Sequence, residues 1–136
     1  MLRSVSAVLI GFILIPLLNM GTQALLSRAL PDLYPADGPV TSTAALLLAC
    51  GYVAVFGILG CYVTARLAPS RPMLHALILG ALGLAVSIPA ALATWSDAPV
   101  WFNVYNLLAV MPYAWIGGRI RERQLSSESP ARVAHG

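Results

Sequence analysis

Four long apolar runs, at about residues 4–26, 43–65, 73–95 and 100–118, constrain the fold of this chain more than any other feature. Each approaches the roughly 20 residues that a helix needs to cross a bilayer core of about 30 Å. None has Asp, Glu, Lys or Arg in its interior. Because backbone groups in lipid must bond to one another, and because the runs are continuous rather than alternating, helices are favoured over barrel strands. The pattern predicts an all-α membrane protein with four transmembrane helices in an antiparallel bundle.

The composition supports this class. The chain is 59% hydrophobic and only 10% charged, whereas soluble domains have about 45–50% apolar and about 25% charged residues. So much apolar surface exceeds what a soluble core of 136 residues can bury. All eight basic residues are arginines, and they lie between the apolar runs rather than along one soluble face. Nucleic acid is therefore not an expected partner.

The polar segments define one domain and its orientation. Residues 1–118 are expected to form the transmembrane domain, and residues 119–136 a basic, partly disordered cytoplasmic tail. Seven of the eight arginines fall on the side of the two termini, and Arg28 alone falls on the other. The positive-inside rule then places both termini in the cytoplasm. An alternative treats the first run as a cleaved signal peptide, although the run is long for one.

Polar side chains inside the runs form the first candidate site. Asn19 and Gln23 are four residues apart in the first run, and Asn103 and Asn106 are three apart in the fourth, so each pair shares a helix face. Both pairs belong to the half of the membrane away from the termini, and two hydroxyl residues of the third run reach a similar depth: Ser87 and Thr94. One interpretation is hydrogen bonding between helices, worth about 0.6–2 kcal/mol per bond. The other is a polar vestibule that is open to the outside and binds a small solute.

Small residues recur at four-residue spacing in the last three runs, which is typical of close helix packing. The expected packing positions are Gly57, Gly60, Gly80, Gly83 and Gly118. The spacing leaves open whether the partner is the same chain, a second copy or another protein.

A third candidate site lies at the cytoplasmic turn, where Arg66, Arg71 and His75 come together. They could bind an anionic lipid headgroup, or they could be solvated charges of a positive-inside loop. His75 could also ligate a haem or pigment metal. No metal-ligand spacing, nucleophile–base set or intramembrane carboxylate is present in the sequence. We therefore expect no cofactor and no enzymatic activity.

Two segments carry a resemblance. Residues 60–76 (GCYVTARLAPSRPMLHA), followed by LILG, and residues 115–119 (WIGGR) resemble the short inner loop and the last motif of small bacterial four-helix integral membrane proteins. That resemblance implies only the fold and the location, a bacterial inner membrane, since no activity is attached to the group. Size and helix number are also similar to those of the small multidrug resistance transporters, but the glutamate that they carry in the first helix is missing here.

The expected function is that of a non-enzymatic small subunit or scaffold in a larger membrane protein assembly, with the lipid bilayer and other membrane subunits, or further copies of itself, as partners. The alternative is an oligomeric transporter or channel for a small neutral or anionic solute, lined by the four amides.

The orientation is testable with single cysteines in a variant that lacks Cys50 and Cys61. We expect a cysteine at Ser96 to react with an impermeant maleimide added to intact cells, because this loop carries few arginines. A cysteine at Ser70 should react only after the cells are permeabilised. The reverse pattern would overturn the orientation.

Overall fold

In a computed structural model, the protein is described over residues 2–35 and 38–133, with side chains to residue 128. Four helices account for most of these residues: α1 (Leu2–Ala29), α2 (Thr43–Leu67), α3 (Pro72–Ala93) and α4 (Val100–Val133). A single 3-10 turn, Trp95–Asp97, precedes α4. No strand occurs within the described ranges, and the predicted all-α class is confirmed.

Successive helices run in opposite directions. α1 and α4 each pack against both α2 and α3. They lie on opposite sides of that central pair and make no extensive contact with each other. We call the end that holds residue 2 and the turn 68–71 the terminal end. The opposite end, which holds the loops 30–42 and 94–99, is the loop end.

Three of the four helices, α1, α2 and α3, are long and apolar enough to cross a membrane. The fourth predicted span does not meet this criterion. Asn103 and Asn106 and the interior Pro112 lower the hydropathy of the apolar part of α4, and the same helix continues into an arginine-rich segment. The structure therefore supports three of the four predicted membrane spans.

α4 is also longer than predicted, because it continues to Val133 and makes the predicted tail helical up to that point. Arg, Glu, Gln and Leu are good helix formers, and Arg119 pairs with Glu122 one turn later at 3.5 Å. The Tyr62 hydroxyl of α2 donates to Gln124 Oε1 at 2.9 Å and so attaches this segment to the bundle. Residues 134–136 of the predicted tail lie outside the described residues.

The helices approach most closely in the terminal half. A Cβ atom on Gly80 of α3 would lie 2.6 Å from the Ala114 Cβ of α4. A Cβ on Gly117 would lie 2.8 Å from the carbonyl oxygen of Ile58 and 2.8 Å from the amide nitrogen of Tyr62. Backbone atoms cannot move aside as side chains can. Only glycine therefore fits at residue 117, where α4 crosses α2.

The predicted packing positions differ in how tightly they are held. Cβ atoms on Gly57, Gly60 and Gly118 would each overlap a side chain of a neighbouring helix, whereas one on Gly83 would meet Val110 at an ordinary 3.7 Å. Gly11 and Gly117, which are not among the predicted positions, lie at two of the closest crossings.

Two buried hydroxyl groups connect segments. The Thr64 hydroxyl of α2 donates to the carbonyl oxygen of Ala7 in α1 at 3.1 Å. The Tyr34 hydroxyl donates to the carbonyl oxygen of Ala45 and attaches the α1–α2 loop to the start of α2. Burial raises the pKa of Tyr34, which favours the neutral phenol.

The glycine crossing makes a quantitative prediction. Gly117→Ala should destabilise the protein by about 1–3 kcal/mol, because the added methyl group overlaps backbone atoms of α2. The measurement is unfolding in mixed micelles of mild detergent and SDS. Gly51→Ala is the matched control, since nothing lies within 4 Å of a Cβ there. Equal stability of the two variants would contradict the backbone contact.

Candidate functional site

A cavity of about 570 Å³ extends from the level of Gly80 towards the loop end of the bundle and is lined by all four helices. At its inner end lie Cys61, Leu79 and Gly80, all buried. Towards the loop end, Ala90 and Thr94 also line the cavity but remain exposed. The lining residues nearest the terminal end are therefore buried, and the exposed ones lie nearer the loop end. The cavity volume falls within the about 300–1,000 Å³ typical of ligand sites.

The arrangement of the helices explains where the cavity lies. α1 and α4 are separated across the bundle, and the cavity contains lining residues from both. All of the polar residues that the sequence placed in the half away from the termini line it: Asn19 and Gln23 from α1, Ser87 from α3 and Thr94 directly after it, and Asn103 and Asn106 from α4.

Three of the amides use their NH₂ groups close to their own helix. Asn19 and Asn106 each donate from Nδ2 to the backbone carbonyl oxygen four residues earlier, both at 2.9 Å. Asn103 donates from Nδ2 to the carbonyl oxygen of Trp95 at 3.2 Å, in the turn that precedes α4. None of these bonds joins two of the long helices. This geometry favours the vestibule over hydrogen bonding between helices.

The carbonyl oxygen of Asn19 is the exceptional atom of the site. Asn19 Oδ1 is buried and has no hydrogen-bond partner in the described part of the chain. An unpaired buried acceptor costs about 1–3 kcal/mol, and native proteins contain few of them. Among the polar atoms of the cavity, Asn19 Oδ1 therefore has the most to gain from an added hydrogen-bond donor.

Aromatic residues form much of the remaining wall, and the sequence argument missed them: Phe12, Tyr52, Phe102 and Tyr113. Phe12 lies seven residues before Asn19, and Phe102 lies four before Asn106, so helical spacing from the amides would have found these two. The hydroxyl groups of Tyr105 and Tyr113 lie 2.7 Å apart in one hydrogen bond. None of the described lining residues is Asp, Glu, Lys, Arg or His.

The predicted lipid-headgroup residues are at the terminal end, but they do not all face outward. Arg66 and Arg71 are exposed, whereas His75 is only 9% exposed. His75 Nδ1 lies 3.1 Å from the carbonyl oxygen of Arg71, and Arg66 donates to the Tyr62 hydroxyl at 3.3 Å. The two arginines are therefore the exposed part of this cluster. The described residues contain no group of three or more His, Cys, Asp and Glu that could hold a metal ion.

A shallow groove of about 750 Å³ also lies at the terminal end, beside the extended part of α4. Arg119, Glu122 and Arg123 contribute its charged groups. Because Arg119 already pairs with Glu122, the groove has less free positive charge than its arginines alone suggest.

Comparison with protein families, with curated proteins and with solved structures finds no match to this chain.

The hydrogen-bond geometry predicts opposite results for two substitutions. Thr64→Val should destabilise the protein by about 0.6–2 kcal/mol, because it removes a bond between helices. Asn19→Leu should leave stability unchanged or raise it, because it removes a buried acceptor that has no partner. Unfolding in mixed micelles measures both. A larger loss for Asn19→Leu than for Thr64→Val would show that Asn19 holds helices together.

Proposed function

We propose that the protein is an integral membrane protein that binds a small solute in the cavity between α1 and α4, reached from the loop end. The observation that carries the proposal is the convergence of six polar side chains from three helices on one cavity of about 570 Å³. Apolar walls with a few placed polar groups are characteristic of small-molecule sites.

The closed terminal half distinguishes this proposal from a continuous pore. There the backbones of α2 and α4 meet at Gly117, and Thr64 of α2 bonds to α1. A solute that enters from the loop end meets this packed region. Such a cavity suits a binding protein or a carrier with access from one side, within the transporter class that the sequence offered as an alternative.

We propose further that α4 crosses the membrane beside the three apolar helices. Its packing against α2 and α3 through Gly80 and Gly117 supports this placement, because a partner helix can shelter its asparagines from lipid. We place the protein in a bacterial inner membrane with the terminal end in the cytoplasm, the orientation that the arginines favour, so that the cavity faces the outside.

The other hypothesis from the sequence, a non-enzymatic subunit or scaffold in a larger assembly, stays a prediction. Native purification separates the two hypotheses. A stable complex with other membrane subunits would favour the scaffold, and an assembly of this chain alone would favour the solute-binding protein.

The direct test uses water-soluble thiol chemistry in the cavity. Ser87→Cys, in a variant without Cys50 and Cys61, places a nearly isosteric thiol in the lining. We expect a charged, impermeant methanethiosulfonate to modify it from outside intact cells, because the cavity is accessible from the loop end. Ala85→Cys is the control, since Ala85 lies on the same helix, is exposed on the bundle surface and does not line the cavity.

Modification of Ser87→Cys but not of Ala85→Cys supports the cavity as a solute site. Modification only after permeabilisation would show that the protein has the opposite orientation, and it would still support the cavity as a solute site. If Ser87→Cys stays unmodified under both conditions, the proposed function is wrong.

A further inference from the structure

We infer that the ligand of this cavity is an uncharged amphiphile whose polar end carries a hydrogen-bond donor, such as an alcohol, and that Asn19 Oδ1 accepts that hydrogen bond. The inference rests on the proposed function and names the class of ligand.

The first step concerns which way the amides present themselves. The Nδ2 atoms of Asn19, Asn103 and Asn106 all lie within 3.2 Å of backbone carbonyl oxygens. A carbonyl oxygen can only accept a hydrogen bond, so each amide must turn its NH₂ group towards it. The three Oδ1 atoms are then the remaining acceptors, and no donor in the described part of the chain pairs with Asn19 Oδ1.

The second step concerns charge. The described lining contains no cationic side chain to pair with an anion and no carboxylate to pair with a cation. A charged group placed without a partner among apolar walls in a membrane is costly. Acceptor oxygens also repel an anion. The sequence left open a neutral or an anionic solute, and these two observations favour the neutral one.

The third step concerns the rest of the ligand. Aliphatic and aromatic side chains from all four helices surround the polar layer, among them Phe12, Val86 and Phe102. An apolar body fills such walls favourably, whereas a wholly polar solute would lose its water without replacement partners. An apolar body with a polar end that donates hydrogen bonds satisfies both parts of the cavity.

The experiment compares two isomers that differ in the donor. 1-Decanol and methyl nonyl ether have the same atoms, but only the alcohol has an O–H group. Each is added to vesicles that contain the full-length Ser87→Cys protein, and the rate of thiol modification is followed. Concentrations are expressed as the mole fraction in the bilayer, measured separately by partitioning into protein-free vesicles. Decanoate and decylammonium serve as the anionic and cationic probes.

We expect decanol to give half-maximal protection at a mole fraction about tenfold or more below that of the ether, because the ether leaves a buried acceptor unpaired. Decanoate and decylammonium should protect less well than decanol. In Asn19→Leu the preference for decanol should disappear, so that decanol and the ether give half-maximal protection at about the same mole fraction. Protection by the ether should be the same as in the parent protein. Met20→Leu, an exposed position next to Asn19, should keep the full preference.

Equal protection by decanol and ether in the parent protein would overturn this inference and leave the cavity as a solute site. Stronger protection by decanoate would overturn it in favour of an anion. Absence of protection by every probe, with the thiol still modified, would also overturn it. If the thiol is never modified, the proposed function fails as well. Because the isomers are compared first without any change at Asn19, the test does not depend on how Asn19→Leu folds.

Discussion

Helix backbones meet at the terminal end of this bundle because glycines occupy the crossings, and the rest of the structure depends on that contact. Lipid tails are as apolar as leucine, so no hydrophobic force draws helices together within a bilayer, and close packing must supply the attraction. Gly80 and Gly117 bring α4 against α3 and α2, respectively, while Gly11 brings α1 against α2. In the other half, larger side chains such as Tyr52 and Phe102 line the space that remains. The cavity follows from close contact at one end of the bundle and bulk at the other.

Hydropathy was enough to predict the first three helices to within a few residues, because their bounds are set where apolar sequence meets proline-rich loops. It was not enough for α4. Its apolar part is diluted by asparagines that pack towards the bundle interior, and its continuation to Val133 depends on pairs one turn apart and on the bond between Tyr62 and Gln124. That bond joins residues 62 positions apart in the chain, and a local pattern carries no information about it.

The candidate site was partly predictable for the same reason. Spacing placed Asn19, Gln23, Asn103 and Asn106 at one depth, and all four line one cavity. Spacing could not reveal where each NH₂ group donates, since a bond to the helix's own backbone and a bond across helices need the same residue type. Nor could it identify Gly11 or Gly117 as the closest crossings. A glycine in an apolar run has no distinguishing signal until the neighbouring backbone is known.

Most of the arginines lie at the terminal end of the bundle, away from the polar layer of the cavity, and this separation has a chemical consequence. Arg66, Arg71, Arg119 and Arg123 lie at the closed terminal end, whereas the polar groups of the cavity are amides and hydroxyls. Exposed charges separated by more than about 8–10 Å are largely screened at physiological salt, so these terminal-end arginines do not make the loop end attractive to anions. They can orient the protein in the bilayer through the positive-inside bias without affecting what the cavity binds. Selectivity is then left to shape and to hydrogen bonding, and among the described residues Asn19 Oδ1 is the one buried side-chain acceptor that still lacks a donor.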